Sequence, residues 1–225
     1  MTNAALTDDE NVALLARWRN GSNQAGDLFY LHNAKLIKRY FRVRITSTSD
    51  VADLVQETFA RCLHVAFRGE GSVRSFLYGI AHFVFMEYLR RKQRHVADEA
   101  TDTLLSHAVA EFEADDPEYV LGQKEDQKLL MRAMRRIRMN YQIVLEMSQW
   151  GGLTQQEIAA ILECPAPTVG RWKSEAFAAL EAKVTELAQS QQTLNSTTMT
   201  LNAWRMGVKD KAKDLTEQRA RGRKG

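Results

Sequence analysis

The stretch LTQQEIAAILECPAPTVGRWKSEA, Leu153 to Ala176, has the pattern of a helix, a tight turn and a second helix. Thr154 and Glu157 form a capping box: the hydroxyl takes an orphan amide of the first turn, and the glutamate reaches back to the cap. Ile158, Ala159 and Leu162 then face inward. Pro165 biases Cys164 away from helical geometry, so the first helix should end there. Pro167 suits the first turn of the next helix, where its missing N–H costs nothing. Val169 packs back, while Thr168, Gly170, Arg171, Lys173 and Ser174 are expected to face outward. An exposed helix start bearing such side chains fits the major groove of DNA. A plain helical hairpin is the structural alternative.

The whole chain favours helices. It has 225 residues, 44% of them hydrophobic, and only three prolines: Pro117, Pro165 and Pro167. That length holds one large domain or two small ones. The formal charge of +3 is modest, so its distribution matters more than its sum. Cys62 and Cys164 make no CxxC or zinc spacing and are read as reduced thiols. The most apolar run, Phe76 to Leu89, is interrupted by His82 and Glu87 and falls short of the ~20 residues that span a bilayer. No signal-peptide pattern is visible at the N-terminus. These features predict a soluble cytoplasmic protein without membrane contact.

Residues 7–94 read as four helices. Thr7 or Asp8 can cap the first, before Val12, Leu15 and Trp18. The second follows Gly26, with Leu28, Leu31, Leu36, Ile37 and Tyr40 inward. The third starts near Ser49 or Asp50, and Val51, Leu54, Val55, Thr58, Phe59 and Cys62 recur at helical steps. After the loop RGEGS, Ser72 or Ser75 caps a fourth helix reaching about Arg94. Asp50, Asp53 and Glu57 share one face of the third helix beside Gln56. The fourth is rich in Phe76, Tyr78, Phe83, Phe85 and Tyr88, and ends in Arg90, Arg91, Lys92 and Arg94. Aromatics beside a cationic cluster suit unstacked bases and their phosphates. Phe76, Ile80, Val84 and Leu89 are expected in the core.

Residues 96–127 carry ten carboxylates against Lys124 alone, the composition of a solvated linker. Asp116 and Pro117 there resemble a helix start. Helices return from Gln127 to about Gln189, with Leu130, Met134, Ile137, Tyr141, Val144, Leu145 and Met147 as an apolar face. NSTTMT, residues 195–200, reads as polar and loose. Leu201, Trp204, Val208, Ala212 and Leu215 fall on one helical face, and the chain ends in RARGRKG. No GxxxxGK, HExxH or GxSxG is present, and the five histidines do not cluster with carboxylates. Neither an enzyme, a metal site nor a cofactor is expected.

Together the two halves resemble the extracytoplasmic-function sigma factors of bacterial RNA polymerase. DLVQETF, residues 53–59, resembles the region-two helix that grips the polymerase. SFLYGIAHFVFMEYLRR, residues 75–91, resembles the helix that engages the melted minus-ten element. The opening stretch resembles the region-four reader of the minus-thirty-five element. The resemblance implies an all-α protein with a region-two bundle over residues 7–95, an acidic linker over 96–114, a region-four helix-turn-helix domain over 115–190 and a basic extension over 191–225. It implies that Asp50, Asp53, Gln56, Glu57 and Phe59 contact core polymerase. The loop from Phe67 to Ser75, with Arg68, Ser72, Arg74 and Ser75, would hold a flipped base. Arg90, Arg91 and Arg94 would hold strand phosphates, and Thr168, Arg171, Trp172 and Lys173 would face the upstream element.

Several residues depart from the family pattern. Phe83 stands where asparagine is usual, His82 where arginine is common, Phe76 for tryptophan, and Glu163 where the turn usually has glycine. Ala52 replaces a family glutamate, and Thr46, Ser47, Thr48 and Ser49 precede it. Some subgroups without that acidic motif are activated by a Ser/Thr kinase, which makes Thr48 and Ser49 candidate phosphorylation sites; an ordinary hydroxyl cap is the alternative. A kinase or an anti-sigma factor are the candidate regulators. The expected function is promoter-specific initiation with core RNA polymerase and promoter DNA as partners. The rivals are an autonomous helix-turn-helix regulator and a helical adaptor.

Overall fold

A computed structural model of the chain describes residues 7–69, 71–94, 125–188, 193–199 and 201–202. Every regular element among them is a helix, and the chain divides into two compact units. The first contains α1 (Asp8–Arg19), α2 (Asn23–Arg42), α3 (Thr48–His64) and α4 (Val73–Arg94). The second contains α5 (Glu125–Arg135), α6 (Met139–Leu145), most of α7 (Gln155–Ile161) and α8 (Ala166–Leu187). The acidic linker, the DDPEYV helix start and the basic C-terminal end lie outside the described residues.

Local caps set the starts in the first unit. Thr7 and Glu10 form a full capping box on α1. Ser22 caps α2, Ser47 caps α3, and the Ser72 hydroxyl accepts from Ser75 N at 3.1 Å at the start of α4. The sequence placed the α2 start after Gly26, but the helix begins three residues earlier. Gly26 serves a helix crossing: a Cβ there would fall 2.4 Å from Trp18 Nε1. Trp18 in turn packs on Phe29, with ring centroids 5.7 Å apart.

The core of this unit is aromatic. Tyr40 sits edge-on to Phe41, Tyr78 and Phe85, at 5.4, 5.6 and 6.2 Å, and all four rings are fully buried. Such pairs each add about 0.5–1.5 kcal/mol beyond area burial. Two expectations for α2 fail: Leu28 and Leu31 are exposed, at 40% and 62%. They lie opposite the stripe of Phe29, Asn33, Ile37 and Tyr40. A polar residue takes the place expected of them. The Asn33 amide is buried and donates to Asn11 Oδ1 at 3.0 Å and to the Phe29 carbonyl at 2.8 Å. On α4, Ile80 and Val84 are buried as expected, whereas Phe76 and Leu89 are only half-buried.

The second unit buries Leu129, Leu130, Ala133 and Met134 of α5 with Met139, Ile143 and Val144 of α6. Ile158, Val169, Phe177, Leu180 and Val184 are buried on α7 and α8. A π-helical turn, Glu146–Trp150, extends α6 and includes the fully buried Glu146. Residues 193–199 are helical and Thr197 is fully buried, so the described part of NSTTMT, residues 195–199, is not loose. The Thr197 hydroxyl donates to the Thr193 carbonyl at 2.7 Å, which removes the cost of burying it.

The turn after α7 is a Schellman motif. Cys164 N donates to Ala159 O at 3.1 Å, Glu163 N to Ala160 O at 3.4 Å, and Glu163 has φ 50°. That left-handed position disfavours any side chain. Two glycine exchanges should therefore act in opposite directions. Glu163→Gly should stabilise the second unit by about 1 kcal/mol. Gly26→Ala should destabilise the first by ~1–3 kcal/mol, because overpacking against a rigid indole outweighs the usual helical preference for alanine. Thermal unfolding of the two variants reads both signs.

Candidate polymerase and promoter interfaces

The α3 face splits by helical position. Asp53 and Gln56 are exposed. Asp50 turns to α4 instead: it accepts from the Tyr88 hydroxyl at 2.7 Å and lies 3.4 Å from Lys92 Nζ. The Tyr88 hydrogen bond, aided by Ser47 and Lys92, holds the Asp50 carboxyl below its ordinary range. Burial and the same carboxylate push the Tyr88 phenol up. Glu57 is half-buried and bound to Arg61 at 2.6 Å; Arg61 also reaches Glu87 at 2.7 Å and lies over the Phe83 ring at 5.2 Å. Phe59 does not share the exposed face of Asp53 and Gln56. It is 4% exposed and packs on Phe29 and Tyr30, because it shares the inward stripe with Val55 and Cys62. The hydroxyls sort likewise. Ser47 accepts from Asp50 N at 3.2 Å and caps the helix, leaving Thr48 and Ser49 exposed in its first turn.

The loop between α3 and α4 exposes Arg68, while Ser72 and Arg74 are half-buried. Phe67 and Phe76 meet edge to face at 5.3 Å. Ser75 is a further correction: it is buried, and its hydroxyl donates to the Ser72 carbonyl at 2.7 Å, completing the cap rather than facing outward. Along α4, Phe83 is 52% exposed, and Arg90, Arg91 and Lys92 are exposed near the helix end. Arg94 is the last residue of α4. His82 faces inward, 3.0 Å from the Tyr40 hydroxyl, and burial with the nearby Arg44 charge pushes it down to about 4.

In the second unit the capping box is formed as expected. Glu157 N donates to the Thr154 hydroxyl at 3.2 Å and Thr154 N to Glu157 Oε2 at 2.8 Å. The Gln155 amide donates to the Ala166 carbonyl and packs on Gly170, where a Cβ would meet it at 3.0 Å. Gly170 therefore brings the two helix starts close rather than facing outward. Thr168, Arg171 and Trp172 recur at helical spacing along one side of α8. Arg171 is exposed, the other two are half-buried, and Glu175 continues the row. Arg171 lies 3.9 Å from Glu175, which accepts from the Tyr141 hydroxyl at 2.9 Å. Lys173 is not part of this row. It falls on the face of Val169, Ala176, Phe177 and Leu180, and burial lowers its pKa.

Two family profiles match this arrangement: Sigma-70 region 2 over residues 29–95 and Sigma-70 region 4 over residues 127–180, together more than half of the chain. The chain belongs to the extracytoplasmic-function sigma factor family. The ECF RNA polymerase sigma-E factor of Salmonella typhimurium is 29% identical over 187 residues, covering 79% of this chain and 92% of the relative. The same factor of Escherichia coli K12 gives the same identity and coverage. RNA polymerase sigma factor YlaC of Bacillus subtilis is 28% identical over 138 residues, 60% of this chain and 78% of the relative. The fold matches the solved structure of CnrH in complex with the cytosolic domain of CnrY. That match has a TM-score of 0.54 and 18% identity, and covers 80% of this chain and 99% of the other.

This sigma factor binds core RNA polymerase and directs promoter-specific initiation; sigma factors are not enzymes, and polymerase performs the chemistry. Among the described residues no helix is long and apolar enough to cross a membrane. The departure at His82 has a measurable consequence for the sigma factor. Its folded pKa of about 4 lies below the ~6.5 of an unfolded histidine, so the unfolded chain binds the extra proton first as pH falls. The stability this contributes is complete above pH ~6.5 and is lost towards pH 4, at up to ~1.4 kcal/mol per pH unit. His82→Gln, which cannot titrate, should flatten this part of the stability profile. Denaturant unfolding of both proteins at pH 7.5 and 4.5 measures the difference.

Proposed function

We propose that the two units divide promoter recognition between them. Asp53 and Gln56 on α3, with the flanking Asp50 and Glu57, grip core polymerase. Arg68, Ser72 and Arg74 frame a base flipped from the melted minus-ten element, and Arg90, Arg91 and Arg94 hold the strand phosphates. Unstacking that base costs a few kcal/mol, which a pocket offsets. Thr168, Arg171 and Trp172 read the minus-thirty-five element. The observation that carries this reading is the pairing, in one unit, of an acidic helix with a helix exposing Arg90, Arg91 and Lys92, alongside a helix-turn-helix in the other whose first helix starts in a capping box.

Control at the α3 start belongs to the same proposal. With Ser47 as the cap, the exposed Thr48 hydroxyl is not needed to start the helix, while the Ser49 hydroxyl lies 3.0 Å from that of Ser47. A phosphate on Thr48 would add about −1.5 to −2 charge at a helix N-terminus, beside the acidic face offered to polymerase. A Ser/Thr kinase is then one regulator. An anti-sigma factor is the other, and the fold shared with CnrH, solved with the cytosolic domain of CnrY, supports it.

Reconstituted transcription tests the reading. The purified chain, bacterial core polymerase and genomic fragments should yield new starts that share two spaced upstream elements. Thr48→Glu should raise the yield several-fold over Thr48→Ala when Ser49 is alanine in both. Equal yields remove the kinase and leave the sigma function standing. Tight, salt-dependent duplex binding without polymerase, and no new starts, would point to the autonomous regulator.

A further inference from the structure

Helix α1 precedes the region-2 match, which begins at residue 29, yet its two ends hold the loop between α3 and α4 from both sides. At one end, Arg19 donates from Nε and Nη2 to the Cys62 carbonyl at 3.0 and 2.6 Å, and from Nη2 to the Val65 carbonyl. These lie at the C-terminus of α3, where carbonyls run out of helical partners. At the other end, Asp8 Oδ1 accepts from Val73 N at 2.9 Å, at the first residue of α4. A carboxylate there answers both an orphan amide and the positive end of the helix dipole. The Arg19 guanidinium also lies 5.6 Å from the Phe76 ring centroid, and Phe76 holds Phe67 of the loop edge to face.

Neither side chain is spent on α1 itself. Thr7 and Glu10 already cap that helix, so the Asp8 carboxylate is not needed there. Between the two anchors, Gly69 and Gly71 adopt φ of +74° and +87°. Such residues permit many backbone shapes, so the loop must be held from outside to keep one.

We infer that Asp8 and Arg19 are positioning residues for promoter melting: α1 fixes both ends of the loop, and through Phe76 the ring of Phe67. They set how sharply the loop distinguishes the base it holds, without touching DNA. The inference rests on the proposed role of the loop in holding a flipped base.

The test uses the full chain with core polymerase on a promoter found by transcript mapping. Each base of the downstream element is changed in turn, and the ratio of open-complex formation on matched and changed promoters is measured. Arg19→Gln and Asp8→Asn should each lower the largest ratio about fivefold to tenfold, the scale of a lost charge-assisted hydrogen bond. Binding to core polymerase should not change. Arg19→Lys, which keeps the charge but not the fork, should restore part of the ratio. Phe67→Ala serves as the control for the loop. If Phe67→Ala collapses the ratio and Arg19→Gln leaves it intact, α1 has no positioning role and the loop reading stands. If Phe67→Ala leaves every ratio intact, the loop reading falls and the role of α1 falls with it. A uniform loss on all promoters, tracking a lower melting temperature, would reduce both residues to a stabilising role and overturn the inference.

Discussion

Helices α3 and α4 are tied at two points by half-buried polar groups, Asp50 with Tyr88 and Arg61 with Glu57 and Glu87, and the exposed Lys92 adds to the first. Both ties shield charge partly from water, where ion pairs gain more than at an exposed surface. The aromatic cluster around Tyr40 supplies the bulk of the packing beneath them. The result joins the acidic helix and the cationic helix into one body. Whatever docks on Asp53 and Gln56 thereby fixes the direction in which Arg90 and Arg91 are presented. On the reading proposed above, that coupling would let polymerase place Arg90 and Arg91 at a defined distance from its own active centre.

The second unit follows a different logic. Its helix-turn-helix is set by short-range devices: a capping box at Thr154, a Schellman turn at Glu163 and a proline in the first turn of α8. Each involves residues no more than five positions apart. The unit accepts one strained position, Glu163, within this turn.

That difference explains what could be read directly from the sequence. The Thr154–Glu157 box and the inward stripe of α3 follow from spacing, and the all-helical fold and the two halves from composition and the family resemblance. Phe59 shows the limit of carrying a role over by motif position: its place on the Val55 and Cys62 stripe already marked it as core. Lys173, four residues after Val169, likewise falls on the side of α8 that carries the buried Ala176 and Phe177. Leu28 and Leu31 misled because hydrophobicity was taken as burial, while the buried Asn11–Asn33 pair was hidden because amides usually stay in water. The ties of Asp8 and Arg19 span 65 and 43 residues, beyond the reach of any local pattern. The π turn at Glu146 and the burial of Thr197 have no comparable local signature in the sequence.

The pairing of Arg171 with Glu175 has an effect on ion atmosphere. A cation that displaces counterions from DNA strengthens binding mainly when it arrives unneutralised. On α8 a carboxylate sits one turn from the exposed guanidinium, and the nearby Lys173 has its charge disfavoured by burial. On the reading proposed for the upstream element, Glu175 would reduce the counterion release that Arg171 contributes. Discrimination among sequences, more than salt-driven affinity, would then be what this helix adds to a complex whose hold on the promoter polymerase shares.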